Sequence, residues 1–314
     1  MTRQGRSAIA FIAIGLMIYV GVYFAAERLV YRNGHSNPFF KIATTEVKAF
    51  DWVILGASHA MPLDFADFNG LMQGETGLKI INLASPGTGP LYNRFVLEAF
   101  LRDHTAKNVL YVADSFAFYA RAWNEDRFAD AKLLRATPFD PATAGLLWQY
   151  SRHEDVNSRA LADYVTGFSK INNRDRFQKD VWEGELQFDR VYRQSATATK
   201  SRIAYLFPDS GRDVVLARYI TEFAKLLELA QRHDISVVVI KMPTPGQFRA
   251  LLPNEQAFDE AMTAAVKSRR VGFNDFSAEL DDPRFYFDTD HLNRAGATEL
   301  FARHLKAVLM APAN

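Results

Sequence analysis

Residues 7–26 run for twenty positions without a charged side chain. At 1.5 Å of rise per residue a helix of that length reaches about 30 Å, the thickness of a bilayer's hydrocarbon core, so the pattern predicts a membrane-spanning segment. Arg3 and Arg6 precede the run, and Tyr19, Tyr23, Phe24 and Tyr31 stand where interfacial aromatics are expected. Phe24-Ala25-Ala26 has no small residue three positions before a cut, and the run is long for a cleaved leader. The expectation is therefore a retained anchor over residues 1–32 rather than a signal peptide. Arg28 and Arg32 on the far side balance Arg3 and Arg6, so charge alone leaves the orientation open.

After a polar connector at 33–46 the pattern becomes an alternation of short apolar runs and amphipathic stretches. Residues 52–55 and 79–83 are brief apolar runs that stop at turn chemistry, Gly56-Ala57-Ser58-His59 and Ala84-Ser85-Pro86-Gly87-Thr88-Gly89. Residues 92–101 fit a helix, 108–112 a third strand, and 235–240 a fourth, whose consecutive valines suit a strand covered on both faces. Leu216, Ile220, Phe223, Leu227 and Ala230 recur at helical spacing and give one core-facing stripe. Residues 271–273 make a short fifth strand, and a closing helix starts with Asn293 as its N-cap. Strands alternating with helices predict an α/β, three-layer, doubly wound parallel sheet over residues 33–314. Residues 119–207 break the rhythm with Trp123, Trp148, Tyr150, Trp182 and Tyr192 among many polar residues. That length exceeds a simple connection and predicts a helical insertion over or beside the sheet, either an aromatic-packed annex or a surface for substrate or partner.

Composition narrows the chemistry. The 314 residues are 48% hydrophobic and 23% charged, enough to bury one sizeable core. With 37 basic against 36 acidic side chains and no long run of one sign, no nucleic-acid partner is expected. There is no cysteine, which rules out a thiol nucleophile, a disulfide framework and cysteine-ligated metals.

Ligands of open parallel sheets sit at the carboxyl ends of the strands. Three loops there carry chemistry: Ser58 after the first strand, Gly87 and Gly89 after the second, and Asp288 to His291 before the closing helix. A serine hydroxyl needs a base to take its proton and a carboxylate to orient that base, roles that His291 and Asp288 can fill for Ser58. The Ser58 amide and Gly87, whose missing side chain permits close backbone approach, are the natural oxyanion donors. No metal and no cofactor is called for by this set.

The run Val53-Ile54-Leu55-Gly56-Ala57-Ser58-His59 resembles the first motif of SGNH/GDSL esterases, especially their membrane-associated branch. Asn82-Leu83-Ala84-Ser85-Pro86-Gly87 is similar to the second, and Tyr286-Phe287-Asp288-Thr289-Asp290-His291 with Gly296 following resembles the terminal Asp-x-x-His motif. The resemblance covers residues 50–115 and 235–310. It implies Ser58 as nucleophile, His291 as base, Asp288 as its orienter and Gly87 as oxyanion donor. Anchored acyl-transfer relatives, such as the D-alanylation protein of the lipoteichoic acid pathway and the alginate O-acetylation proteins, share the pairing of an extracytoplasmic domain with an anchor. By that resemblance the function is a serine O-acyltransferase acting on a cell-envelope glycan, in the inner membrane with a periplasmic domain, supplied by a multi-pass membrane O-acyltransferase. A carbohydrate or lipid esterase, acting on an acylated small molecule or glycan, is the alternative. The third motif departs: where the family offers Asn to the oxyanion, this chain reads Ala113-Asp114-Ser115-Phe116.

Other readings compete. Ser58 is also a plausible helix cap, and His291 a helix-start histidine satisfied by backbone. Asp290 reads as a solvent-facing or capping carboxylate, and His59 as a loop residue within reach of substrate. Asp288-Thr289-Asp290 could hold a metal as in metal-dependent glycosyl transfer, and a non-catalytic scaffold of an acyltransferase complex is a further possibility. The α/β-hydrolase elbow is disfavoured because its second glycine is absent.

Overall fold

A computed structural model describes residues 3–208, 213–269 and 271–311. The outer ends of the expected anchor and domain, Met1 and Asn314, lie outside the described residues. The chain divides into two compact units, one made of Met1–Thr44 with Phe128–Asp180, the other of Thr45–Arg127 with Val181–Asn314. Of the expected insertion, residues 119–127 and 181–207 therefore belong with the sheet.

The first unit is helical. Its N-terminal helix, Arg3–Asn33, is long and apolar enough over Gln4–Asn33 to cross a membrane, and it exposes Phe11, Ile12, Leu16, Met17 and Ile18. The unit also holds the shorter helices Pro38–Thr44, Pro141–His153, Ala131–Leu134, Ser158–Thr166 and Phe168–Ile171. Asp140 caps the second of these, accepting from the amides of Ala142 and Thr143, and buried Asn37 donates to Leu133 O at 2.9 Å.

The second unit is a parallel five-stranded sheet: β1 (Ala49–Gly56), β2 (Ile80–Asn82), β3 (Thr105–Val112), β4 (Ser236–Lys241) and β5 (Gly272–Asp275), in the order β2-β1-β3-β4-β5. Every pairing is parallel, with Trp52 opposite Ile80 and Asn108, Val109 opposite Val237, and Val239 opposite Phe273. Side chains alternate between the two faces, as a period of two requires. Trp52, Ile54, Leu110, Val112 and Ile240 face Phe68, Phe301, Leu305 and Leu309. On the opposite face Tyr111 lies 4.8 Å from Phe223 of the helix Asp213–Arg232, which packs beside Pro90–Phe100. The structure thus has the three-layer α/β architecture expected from the sequence, with β1 and β3 starting three residues before their apolar runs and β2 shorter than its run.

The chain order reverses direction between β1 and β3, which is where such sheets open a crevice at their carboxyl ends. Close packing marks that point. Gly56 ends β1 at φ +147°, and a Cβ there would fall 2.8 Å from Val112 O at the end of β3.

Candidate active site

The loop leaving β1 is pinned from several sides. The Gly56 amide donates to Asn93 Oδ1 at 3.0 Å, Thr88 Oγ1 donates to Gly56 O at 3.0 Å, and Asn82 Nδ2 donates to Ala60 O at 2.8 Å. Ser58 then opens a short 3-10 turn, Ser58–Leu63, so its own amide has no acceptor inside that turn. The helix-cap reading of Ser58 is corrected here, because its hydroxyl does not cap the turn. It meets a side chain 233 positions away instead: His291 Nε2 lies 2.9 Å from Ser58 Oγ.

The Asp-x-x-His spacing explains how His291 is aimed. Asp288 Oδ1 accepts from the amides of Asp290 at 3.0 Å and His291 at 2.8 Å, an aspartate folding its own loop into a turn. The same carboxylate then lies against His291 Nδ1, with Oδ2 at 2.8 Å. Phe287 stacks on the imidazole at 5.5 Å and 6°, and Trp182 meets it edge-on at 5.2 Å. His291 is therefore held by side chains, not by backbone as a helix-start histidine would be. Asn293 takes the cap, accepting from the Gly296 amide at 3.0 Å. Gly296 is required by contact, since a Cβ there would lie 2.3 Å from Phe285 O.

Gly87, on the loop after β2, adopts φ +58°, and a Cβ on it would sit 2.8 Å from the Trp123 ring, so the position accepts glycine alone without strain. Ser58 and His291 are both buried, whereas Asp288 keeps about a third of its side chain exposed. Burial pushes the Asp288 carboxyl up, but His291 beside it outweighs that and holds it below the usual range.

Beside this Ser–His–Asp row runs a second line of charge. His59 Nδ1 lies 2.6 Å from Asp114 Oδ1, and its Nε2 lies 3.2 Å from Asp290 Oδ2. Asp290 in turn accepts from Arg202 Nε at 3.1 and 3.0 Å. Burial works against a charge on His59, yet the two flanking carboxylates overcome it and push the imidazole up to about 10. Asp290 is wholly buried; burial alone would raise its carboxyl, but His291, Arg202 and His59 hold it well below the usual range. The expectation of a solvent-facing or capping Asp290 is thus overturned: the turn that aims His291 also turns Asp290 inward. His59, expected as a loop residue within reach of substrate, is buried, its ring 4.8 Å from that of His291. Asp114, where a neutral amide donor was missing from the third motif, holds His59.

His59, Asp290 and His291 present atoms within 4.8 Å of one another, close enough to hold a metal ion. The donor set fits one poorly, because a cation would have to displace Arg202 from Asp290 and take a proton from His59. The Asp-x-Asp metal reading meets the same obstacle, with Asp288 turned to His291 and Asp290 to Arg202.

No family model matches the chain, and no curated protein matches it. Among solved structures, a Bacteroides fragilis NCTC 9343 protein provisionally described as an acylhydrolase is similar over 86% of this chain and 92% of its own, with a TM-score of 0.42 and 10% identity. A likeness of that size carries no weight for the chemistry. Strand order and side-chain geometry define the class: an α/β protein with a serine, a histidine and an aspartate in hydrogen-bonded sequence at the carboxyl edge of a parallel sheet.

Proposed function

We propose that the protein is a serine acyl-transfer enzyme with Ser58 as nucleophile, His291 as general base and acid, and Asp288 as the carboxylate that orients it. The observation that carries this reading is the row Ser58 Oγ, His291 Nε2, His291 Nδ1, Asp288 Oδ2, with steps of 2.9 and 2.8 Å. In that reading Ser58 Oγ attacks the carbonyl carbon of an ester while its proton passes to His291 Nε2. The tetrahedral oxyanion takes hydrogen bonds from the Ser58 and Gly87 amides. Collapse expels the alcohol, protonated by His291, and leaves an acyl group on Ser58. A second hydroxyl, deprotonated by the same imidazole, then attacks the acyl-enzyme and frees the serine.

The acceptor decides between transferase and esterase. The motif resemblance and the apolar N-terminal helix support transfer of a small acyl group to a cell-envelope glycan by an extracytoplasmic domain held at the inner membrane, with a multi-pass O-acyltransferase as donor partner. The test is to give the purified full chain an activated acetyl ester with and without oligosaccharide acceptors, following free acetate and acetylated sugar by mass spectrometry. Acetyl sugar that forms with wild type and vanishes with Ser58→Ala supports transfer. Acetate alone makes water the acceptor and the esterase reading the right one, and products that persist in Ser58→Ala overturn the proposal.

A further inference from the structure

Next to the N-terminal helix the helical unit presents an apolar turn that its own packing leaves uncovered. Helix Ser158–Thr166 ends at Gly167, in the left-handed conformation at φ +69°, and Phe168–Ile171 follows at once. Val165 and Phe168, on either side of that turn, are 47% and 59% exposed.

The turn is fixed against the N-terminal helix at a definite height. Tyr19 Oη donates to Thr166 O at 2.7 Å, and a Cβ on Gly167 would fall 2.6 Å from the Tyr23 ring. Lys170 Nζ, buried, pairs with Glu27 Oε2 at 2.5 Å, and Glu27 Oε1 accepts from the Phe139 amide at 2.6 Å. Glu27 is the first charged residue after the uncharged run, so it marks where the helix leaves the apolar phase. Tyr23 and Tyr19 lie four and eight residues before it, about 6 and 12 Å back along the axis. A tilt of about 20° shortens those depths by less than a tenth. Apolar faces of membrane-surface helices settle about 5–10 Å below the headgroup boundary, a range that holds the level of Tyr23 and ends just short of that of Tyr19.

Polar groups at that depth must find partners within the protein, and several of this turn do. Thr166 O takes the Tyr19 hydroxyl, Gly167 O takes the Ile171 amide at 2.9 Å, and Phe168 O takes both the amide and the side chain of Asn172. Thr166 Oγ1 donates to Ala162 O, and Asp163 is held by the Ser169 amide and hydroxyl at 2.8 and 2.5 Å. Beside these paired groups Val165 and Phe168 present exposed apolar surface.

We infer that the turn joining helices Ser158–Thr166 and Phe168–Ile171 inserts into the lipid beside the N-terminal helix, with Val165 and Phe168 in contact with acyl chains as a second, non-spanning membrane contact. The inference rests on residues 4–33 crossing a membrane, and the occupant of the surface is lipid. Such a contact would hold the helical unit at one height and rotation relative to the bilayer, which a single spanning helix does not.

Since the chain has no cysteine, a fluorophore can be attached at one site at a time. Full-length Leu16→Cys, Val165→Cys and Phe168→Cys, each labelled with bimane, would be reconstituted into phosphatidylcholine–phosphatidylglycerol vesicles with or without brominated acyl chains. Loss of emission in brominated vesicles at Leu16 and at either Phe168 or Val165 is the expected result. Loss at Leu16 alone places the turn in water or under a protein partner and overturns the inference while sparing the anchor. Loss at none of the three sites removes the anchor reading and the inference with it.

Discussion

His59→Asn replaces a buried cation by a neutral side chain of similar size between two buried carboxylates. The imidazole is held at about 10 against an ordinary 6.5. At 1.36 kcal/mol for each pH unit that gap corresponds to about 5 kcal/mol of stability. Removing one partner of a buried ion pair costs about 3–5 kcal/mol in general, so two independent routes agree on the scale. For a sheet unit of this size the loss should lower the melting temperature by about 10–20 °C. Because the folded value lies above the unfolded one, the contribution is complete below pH 6.5 and fades as the pH rises through about 10. Thermal melts of the full chain in detergent micelles, wild type against His59→Asn, should therefore differ most near pH 6.5 and converge towards pH 10. A variant that melts within about 1 °C of wild type at pH 7, with a parallel pH profile, would show that His59 is not a charge held between Asp114 and Asp290.

The two aspartates of the terminal loop should separate by kind of effect. Asp288→Asn should fold normally and lower turnover by a factor on the order of 10⁴, whereas Asp290→Asn should cost mainly stability, leaving Arg202 and His59 Nε2 without the carboxylate between them while Asp114 still holds His59 Nδ1; equal losses of turnover, both restored by added metal, would favour the Asp-x-Asp reading. Gly296→Ala must push Phe285 O away from 2.3 Å and should destabilise by about 1–3 kcal/mol in urea titrations; an unchanged midpoint would mean that the closing helix shifts freely.

The pattern of apolar positions was enough to place all five strands and the helix Asp213–Arg232: inner strands such as β1 and β4 appear as nearly unbroken hydrophobic runs, and the helix as a stripe at three- and four-residue spacing. The meeting of Ser58, Asp288 and His291 was legible too, since strand order puts the loops after β1 and before the closing helix at one sheet edge. The second line of charge was not. His59 and Asp290 each adjoin a more conspicuous residue, and only three-dimensional placement reveals that one turn carries Asp288 outward to His291 and Asp290 inward to Arg202. Arg202 comes from residues 119–207, where no motif marks any position. The division that groups Phe128–Asp180 with the N-terminal segment depends on contacts such as Lys170 with Glu27, 143 positions apart, which no local pattern encodes.

The most direct test of nucleophilic chemistry at Ser58 is covalent. Full-length protein in micelles would be treated with a fluorophosphonate and digested, and the modified peptide sequenced by mass spectrometry. One phosphonyl group on Ser58, absent from Ser58→Ala and slowed on the order of 10⁴-fold in Asp288→Asn, is the expected result. A wild-type chain that stays unmodified, or one modified equally well after Ser58→Ala, would contradict it.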